Sequence, residues 1–148
     1  LEFRRVLFRS MRRWAAMLAL ITTFDGLSPE IVTTAVARGR FCELLAPLIG
    51  AGQRANDLFF AGLFSMADIM MGVPIEDALR SIPMDELSRR AILDPTSEFG
   101  QVLGAAIAYQ HADWPEYVEL AARAGIDAGQ GADAYRDAMR WTDRLLHG

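Results

Sequence analysis

Apolar residues along this chain recur at intervals of three and four, the spacing that gathers them on one face of a helix. Trp14, Met17, Leu18 and Ile21 follow it and predict a mostly buried helix from Met11 to Phe24, ended by Asp25-Gly26. Ser28-Pro29-Glu30 then supplies a capping hydroxyl, a proline for the first helical position and an acid for the first turn. A second helix is expected from there to about Ile49, where Gly50 and Gly52 stop it. From about Ala55 to Met71 the residues Leu58, Phe59, Phe60, Leu63, Phe64, Met66, Ile69 and Met70 cover most of a helix circumference, which predicts a central, enclosed helix.

Proline and acidic residues punctuate the rest. Pro74 and the run Pro83-Met84-Asp85-Glu86 each open a short helix, and Ser97 caps one reaching about Gln110. Asp113 and Pro115 start the next, through Tyr117, Leu120 and Ala121, and Gly125 ends it. The polar, glycine-rich stretch Asp127 to Gly131 reads as a connection before a final amphipathic helix carrying Ala134, Met139, Trp141, Leu145 and Leu146. No stretch alternates at period two and no repeat recurs at a fixed interval, so the expected fold is all-α, a compact irregular helical bundle.

Composition narrows the function classes. The 148 residues suffice for one domain with a substantial core, and 52% of them are hydrophobic. The longest apolar stretches, Trp14 to Ile21 and Leu58 to Ala67, fall short of the roughly 20 residues that span a bilayer, so no membrane partner is expected. With a net charge of -4 the chain has no overall positive field for a phosphate backbone, and no nucleic acid is expected. DNA binding would require Arg38, Arg40, Arg89 and Arg90 to converge on one face. The single cysteine, Cys42, lies beside Phe41, Leu44 and Leu45 and reads as a small buried hydrophobe in a reducing, cytoplasmic compartment.

Candidate chemistry is sparse. Only His111 and His147 are present, and neither joins a His-Asp pair or a His-Glu-x-x-His arrangement, so both read as exposed helix-end histidines and no metal site is expected. Cys42 has no convincing base, no nucleophile elbow occurs, and no glycine-rich phosphate motif is present. These readings assign no catalytic residue and no cofactor. Asp68 sits inside the most apolar helix, where an ionised carboxylate needs a partner; Arg38 and Arg40 are the plausible ones, in an ion pair joining the second and third helices. Trp14 and Trp114 are candidates for an interaction surface, since aromatic residues concentrate at interface centres, and Trp114 stands out between Asp113 and Pro115.

Several segments, in order, resemble HDOD domains of bacterial signalling proteins. Arg12-Arg13-Trp14-Ala15 is similar to a helix signature of that family, and Thr34 to Ala46 to the helix that follows it. Phe60 to Asp68 resembles the family's Gly-Leu-Phe-Ser segment with its following Asp, and both Ile75 to Leu79 and Ala108 to Trp114 fit the variety joined to an EAL domain. The resemblance implies an HD-like fold lacking its N-terminal helices. It also implies a non-catalytic regulatory module that binds a protein partner or a covalently linked EAL domain in cyclic di-GMP related signalling. In HD phosphohydrolases a Gly-Leu-Leu-His-Asp segment supplies metal ligands; Ser65 and Met66 occupy those places here, and a hydroxyl and a thioether are poor ligands for a hard divalent metal. The alternative is a degenerate HD-type metal-dependent phosphohydrolase using Asp68 with His111. The run Glu2 to Ser10 resembles the translation of a sequencing-library adapter, so residues 1–10 are expected to be foreign and residues 11–148 to be a partial HDOD domain. Missing helices would leave an apolar face at Trp14, Met17 and Phe59 uncovered.

Overall fold

The computed structural model describes residues 4, 11, 13, 15 and 26–148. Among them it is all-helical, with no strand and eight α-helices: α1 (Pro29–Leu45), α2 (Ala55–Phe64), α3 (Ala67–Met71), α4 (Ile75–Arg80), α5 (Glu86–Leu93), α6 (Glu98–Gln110), α7 (Trp114–Ala124) and α8 (Ala128–His147). The predicted helix from Met11 to Phe24 lies mostly outside the described residues, as do Trp14 and Met17.

Local chemistry explains the helix starts. The side chains of Ser28, Ser97, Asp113 and Asp127 each accept a hydrogen bond from a backbone N–H in the first turn of α1, α6, α7 and α8. Gly72 and Gly125 close α3 and α7 in the left-handed conformation.

Three boundaries differ from the sequence expectation, each for an identifiable reason. α1 stops at Leu45 and passes into a 3-10 turn at Pro47–Ile49, because Pro47 has no N–H with which to continue the ladder. The expected single helix over residues 55–71 is broken between α2 and α3, where the Ser65 hydroxyl donates to the Gly62 carbonyl at 2.8 Å. The stretch Asp127 to Gly131 is not a connection; it is the first turn of α8, capped by Asp127 and sealed where Gly131 packs against the Tyr117 hydroxyl.

α1 is the hub, packed against α2, α6 and α8. On one side, Phe41, Cys42 and Leu45 meet Leu58, Val102, Leu103, Tyr117, Ala121 and Ala138. On the other, Ala35 and Val36 meet Phe59, Leu63, Phe64, Met70 and Leu79, with Trp141 and Leu145 of α8 packed alongside. The expected enclosure holds from Asp57 to Phe64, where every residue is buried, and fails beyond the break at Ser65, where Ile69 is 58% exposed. Phe59 is fully buried, so the expectation of an uncovered face at this residue is corrected. The Arg13 guanidinium lies 4.4 Å from its ring centroid and Trp141 meets it edge-on.

α1 and α2 approach closely through two glycines. A Cβ on Gly62 would stand 2.7 Å from the Arg38 carbonyl oxygen, and one on Gly39 would stand 2.9 Å from the Phe59 carbonyl oxygen. This approach brings residues 38 and 65 within reach of one another.

Candidate functional site

Arg38 is only 5% exposed and projects from α1 into the junction where the end of α2 meets the end of α6. Its Nε donates to Gln110 Oε1 at 2.6 Å and its Nη1 to Ser65 Oγ at 3.0 Å. Gln110 Nε2 in turn donates to the Thr34 carbonyl at 3.3 Å. A partly buried polar network around the buried Arg38 thus crosses three helices at the very segment where the sequence suggested lost metal ligands. A guanidinium beside Ser65 repels a divalent cation. Among the described residues, no group of three or more His, Cys, Asp or Glu side chains is placed to hold a metal.

The ion pair expected between Asp68 and Arg38 or Arg40 is not among the pairs of the described residues. Arg38 turns to Gln110 and Ser65 instead, and Arg40 pairs with Glu43 at 2.5 Å while lying over the Trp141 ring. The break at Ser65 accounts for this, because it gives Asp68 a partly buried place in the first turn of α3. The buried acid of the apolar helix is Asp57, one turn from Arg54 at 3.7 Å. Its signal in the sequence was its place inside the same apolar run, which the reading gave to Asp68. Glu43, joined to both Arg13 and Arg40, was also missed.

His111 and His147 are exposed at helix ends, as expected. His111 lines a groove between α6 and α7 with Gly104, Ile107, Asp113, Glu116 and Leu120; Asp68 does not line it. The four arginines considered for DNA do not present four free heads, since Arg38 is buried and Arg89 donates to the Leu79 carbonyl at 2.9 Å. Trp114 is 50% exposed and Val118, one turn along α7, is 56% exposed. Tyr109 braces the Trp114 ring at 4.9 Å between centroids, within a cluster that includes Tyr117, Tyr135 and Phe41.

Cys42 is fully buried, as its neighbours implied, and burial pushes its thiol up to about 12, against a smaller opposing effect of Arg38. The thiolate is the reactive form, so Cys42 should not react with a soluble disulfide reagent until denaturant opens the fold. The folded thiol holds its proton above the unfolded value of 9.0, so its contribution to stability is complete below pH 9 and is lost as pH rises from 9 through 12. Tyr117 and Tyr135, also raised by burial, act in the same direction at alkaline pH. Thermal melts from pH 8 to 11 should therefore fall less steeply for Cys42→Ala than for the parent. Equal slopes would remove the cysteine from the account.

Two curated proteins are similar to this chain. "Uncharacterized protein YuxH" of Bacillus subtilis is 24% identical over 142 residues, covering 94% of this chain and 34% of that protein. "Cyclic di-GMP phosphodiesterase CdgJ" of Vibrio cholerae is 22% identical over 129 residues, covering 86% of this chain and 30% of that protein. The chain spans about a third of the length of these relatives. No protein-family model matches it and no solved structure matches it. No helix of the described residues is long and apolar enough to cross a membrane.

Proposed function

We propose that residues 11–148 are the C-terminal portion of an HDOD-type regulatory module in a cyclic di-GMP related signalling protein, acting through protein contacts and not through chemistry of its own. Similarity to the Vibrio protein named as a cyclic di-GMP phosphodiesterase, over 86% of this chain, carries the signalling part of the reading. The non-catalytic part is supported by the guanidinium of Arg38 against Ser65, where a metal ligand would be required. A cytoplasmic setting suits the single buried thiol.

The partner is a linked EAL domain or another protein, and the exposed Trp114 and Val118 of α7 are the contact we assign to it. A braced, half-exposed tryptophan loses little entropy on docking and offers a large apolar area. Trp114→Ala should weaken binding to an EAL domain supplied in trans by about tenfold or more, while costing at most about 1.5 kcal/mol of stability through the lost Tyr109 contact. Unchanged affinity in calorimetric titration would remove this face from the proposal.

The non-catalytic reading is tested by incubating the purified chain with cyclic di-GMP and Mg²⁺ or Mn²⁺. No linear dinucleotide is expected. Turnover abolished by Asp68→Asn and His111→Ala would establish the degenerate hydrolase instead.

A further inference from the structure

A full charge buried in a protein ordinarily has an opposite charge beside it, because removing an ion from water costs several kcal/mol. Arg38 departs from that rule. Its two hydrogen-bond acceptors, Gln110 and Ser65, are neutral dipoles. None of the ion pairs among the described residues includes it, and the Glu43 carboxylate on the same helix is held by Arg13 and Arg40. The ionisable group that acts on it is Cys42, whose thiol is protonated and uncharged at neutral pH.

The guanidinium also has unused hydrogen-bonding capacity. Of its five N–H donors, two are engaged, through Nε and Nη1, and Nη2 bonds no described residue. Thr34, Ser65 and Gln110 are each only partly buried, so the network reaches the surface where α1, the α2–α3 break and the end of α6 meet.

We propose that Arg38, with Ser65 and Gln110 holding its guanidinium in place, is the receptor for a small oxyanion, a phosphate or carboxylate group that supplies the missing negative charge. Planar N–H donors suit such a group, and a site of low polarity strengthens the pairing. The hydroxyl of Ser65 and the amide of Gln110 fix the orientation without neutralising the charge. This site is separate from the Trp114 face, and its failure would leave the docking proposal standing.

The test uses the whole chain, titrated with inorganic phosphate and separately with acetate at constant ionic strength against chloride. Melting temperature and the Nε–Hε resonance of Arg38 are followed. A saturable rise in melting temperature and a moving resonance are expected with at least one oxyanion and not with chloride. Response to phosphate alone assigns a phosphate-type ligand, and response to acetate alone a carboxylate. Gln110→Glu places a carboxylate beside the guanidinium. It should raise the melting temperature without added anion and weaken the anion response at least tenfold. Arg38→Gln should abolish that response; if this variant does not fold, Gln110→Glu decides. An absent or non-saturable response in the parent, or an unchanged one in Gln110→Glu, overturns the proposal.

Discussion

Gly62→Ala is expected to destabilise the protein by about 3 kcal/mol, although alanine is the better helix former by roughly 1 kcal/mol. The added methyl would meet the Arg38 carbonyl oxygen at 2.7 Å and the Gly39 Cα at 2.8 Å. Both are backbone atoms in the middle of α1, so no side chain can swing aside and the two helices must separate. Separation also pulls Arg38 from Ser65, which follows the end of α2. Urea unfolding would show a lower midpoint with little change in slope. Gly52→Ala is the control, since its Cβ would meet nothing within 4 Å, and it should change stability by less than about 0.5 kcal/mol. A Gly62→Ala protein as stable as its parent would mean that the helices do not cross at this point.

Phe59→Ala should cost about 3 to 5 kcal/mol, a large share of the 5 to 15 kcal/mol typical of a domain. The ring is fully buried and meets Phe60 at 5.9 Å and Trp141 at 6.4 Å between centroids, both edge-on. Its loss leaves a cavity bounded by α1, α2 and α8, with the Arg13 guanidinium deprived of the aromatic face beneath it. The same ring explains why Gly39→Ala should be coupled to it. A Cβ there would meet two ring carbons at 3.3 Å and the Phe59 carbonyl at 2.9 Å. Truncating the ring relieves only the first contact, so the double variant should be less damaged than the sum of the singles, yet should retain the backbone clash. Denaturant unfolding of the four proteins measures that coupling. A loss below about 1 kcal/mol for Phe59→Ala would contradict the burial.

Much of this architecture was legible in the order of residues because its signals are local. A hydroxyl or carboxylate placed before a helix must satisfy an N–H within the next three residues, so Ser28, Ser97 and Asp113 could be read without knowing the fold. The enclosure of residues 57–64 was legible for a related reason: a segment apolar on nearly all sides has no face to give to water. Cys42 and the two exposed histidines followed from their neighbours in the same way.

One failure is a local competition for a backbone carbonyl, and the others involve residues distant in the chain. Helical spacing identified a costly acid in the apolar segment but could not show that Ser65 would turn its hydroxyl back to Gly62 and break the helix before Asp68. Nor could it foresee that Gln110, 72 residues away, would take the Arg38 guanidinium. Gly129 and Gly131 suggested a polar connection, whereas Gly131 belongs to a helix and is small because the Tyr117 hydroxyl occupies the space beside it. By itself, then, the sequence determined the helical class, the helix starts capped by Ser28, Ser97 and Asp113, and the enclosed segment 57–64, because hydrogen-bond capping and side-chain periodicity act over a single turn. Only the tertiary structure decided which polar groups meet at the junction of α1, α2 and α6, because their partners are chosen by how closely two glycine-bearing helices can approach.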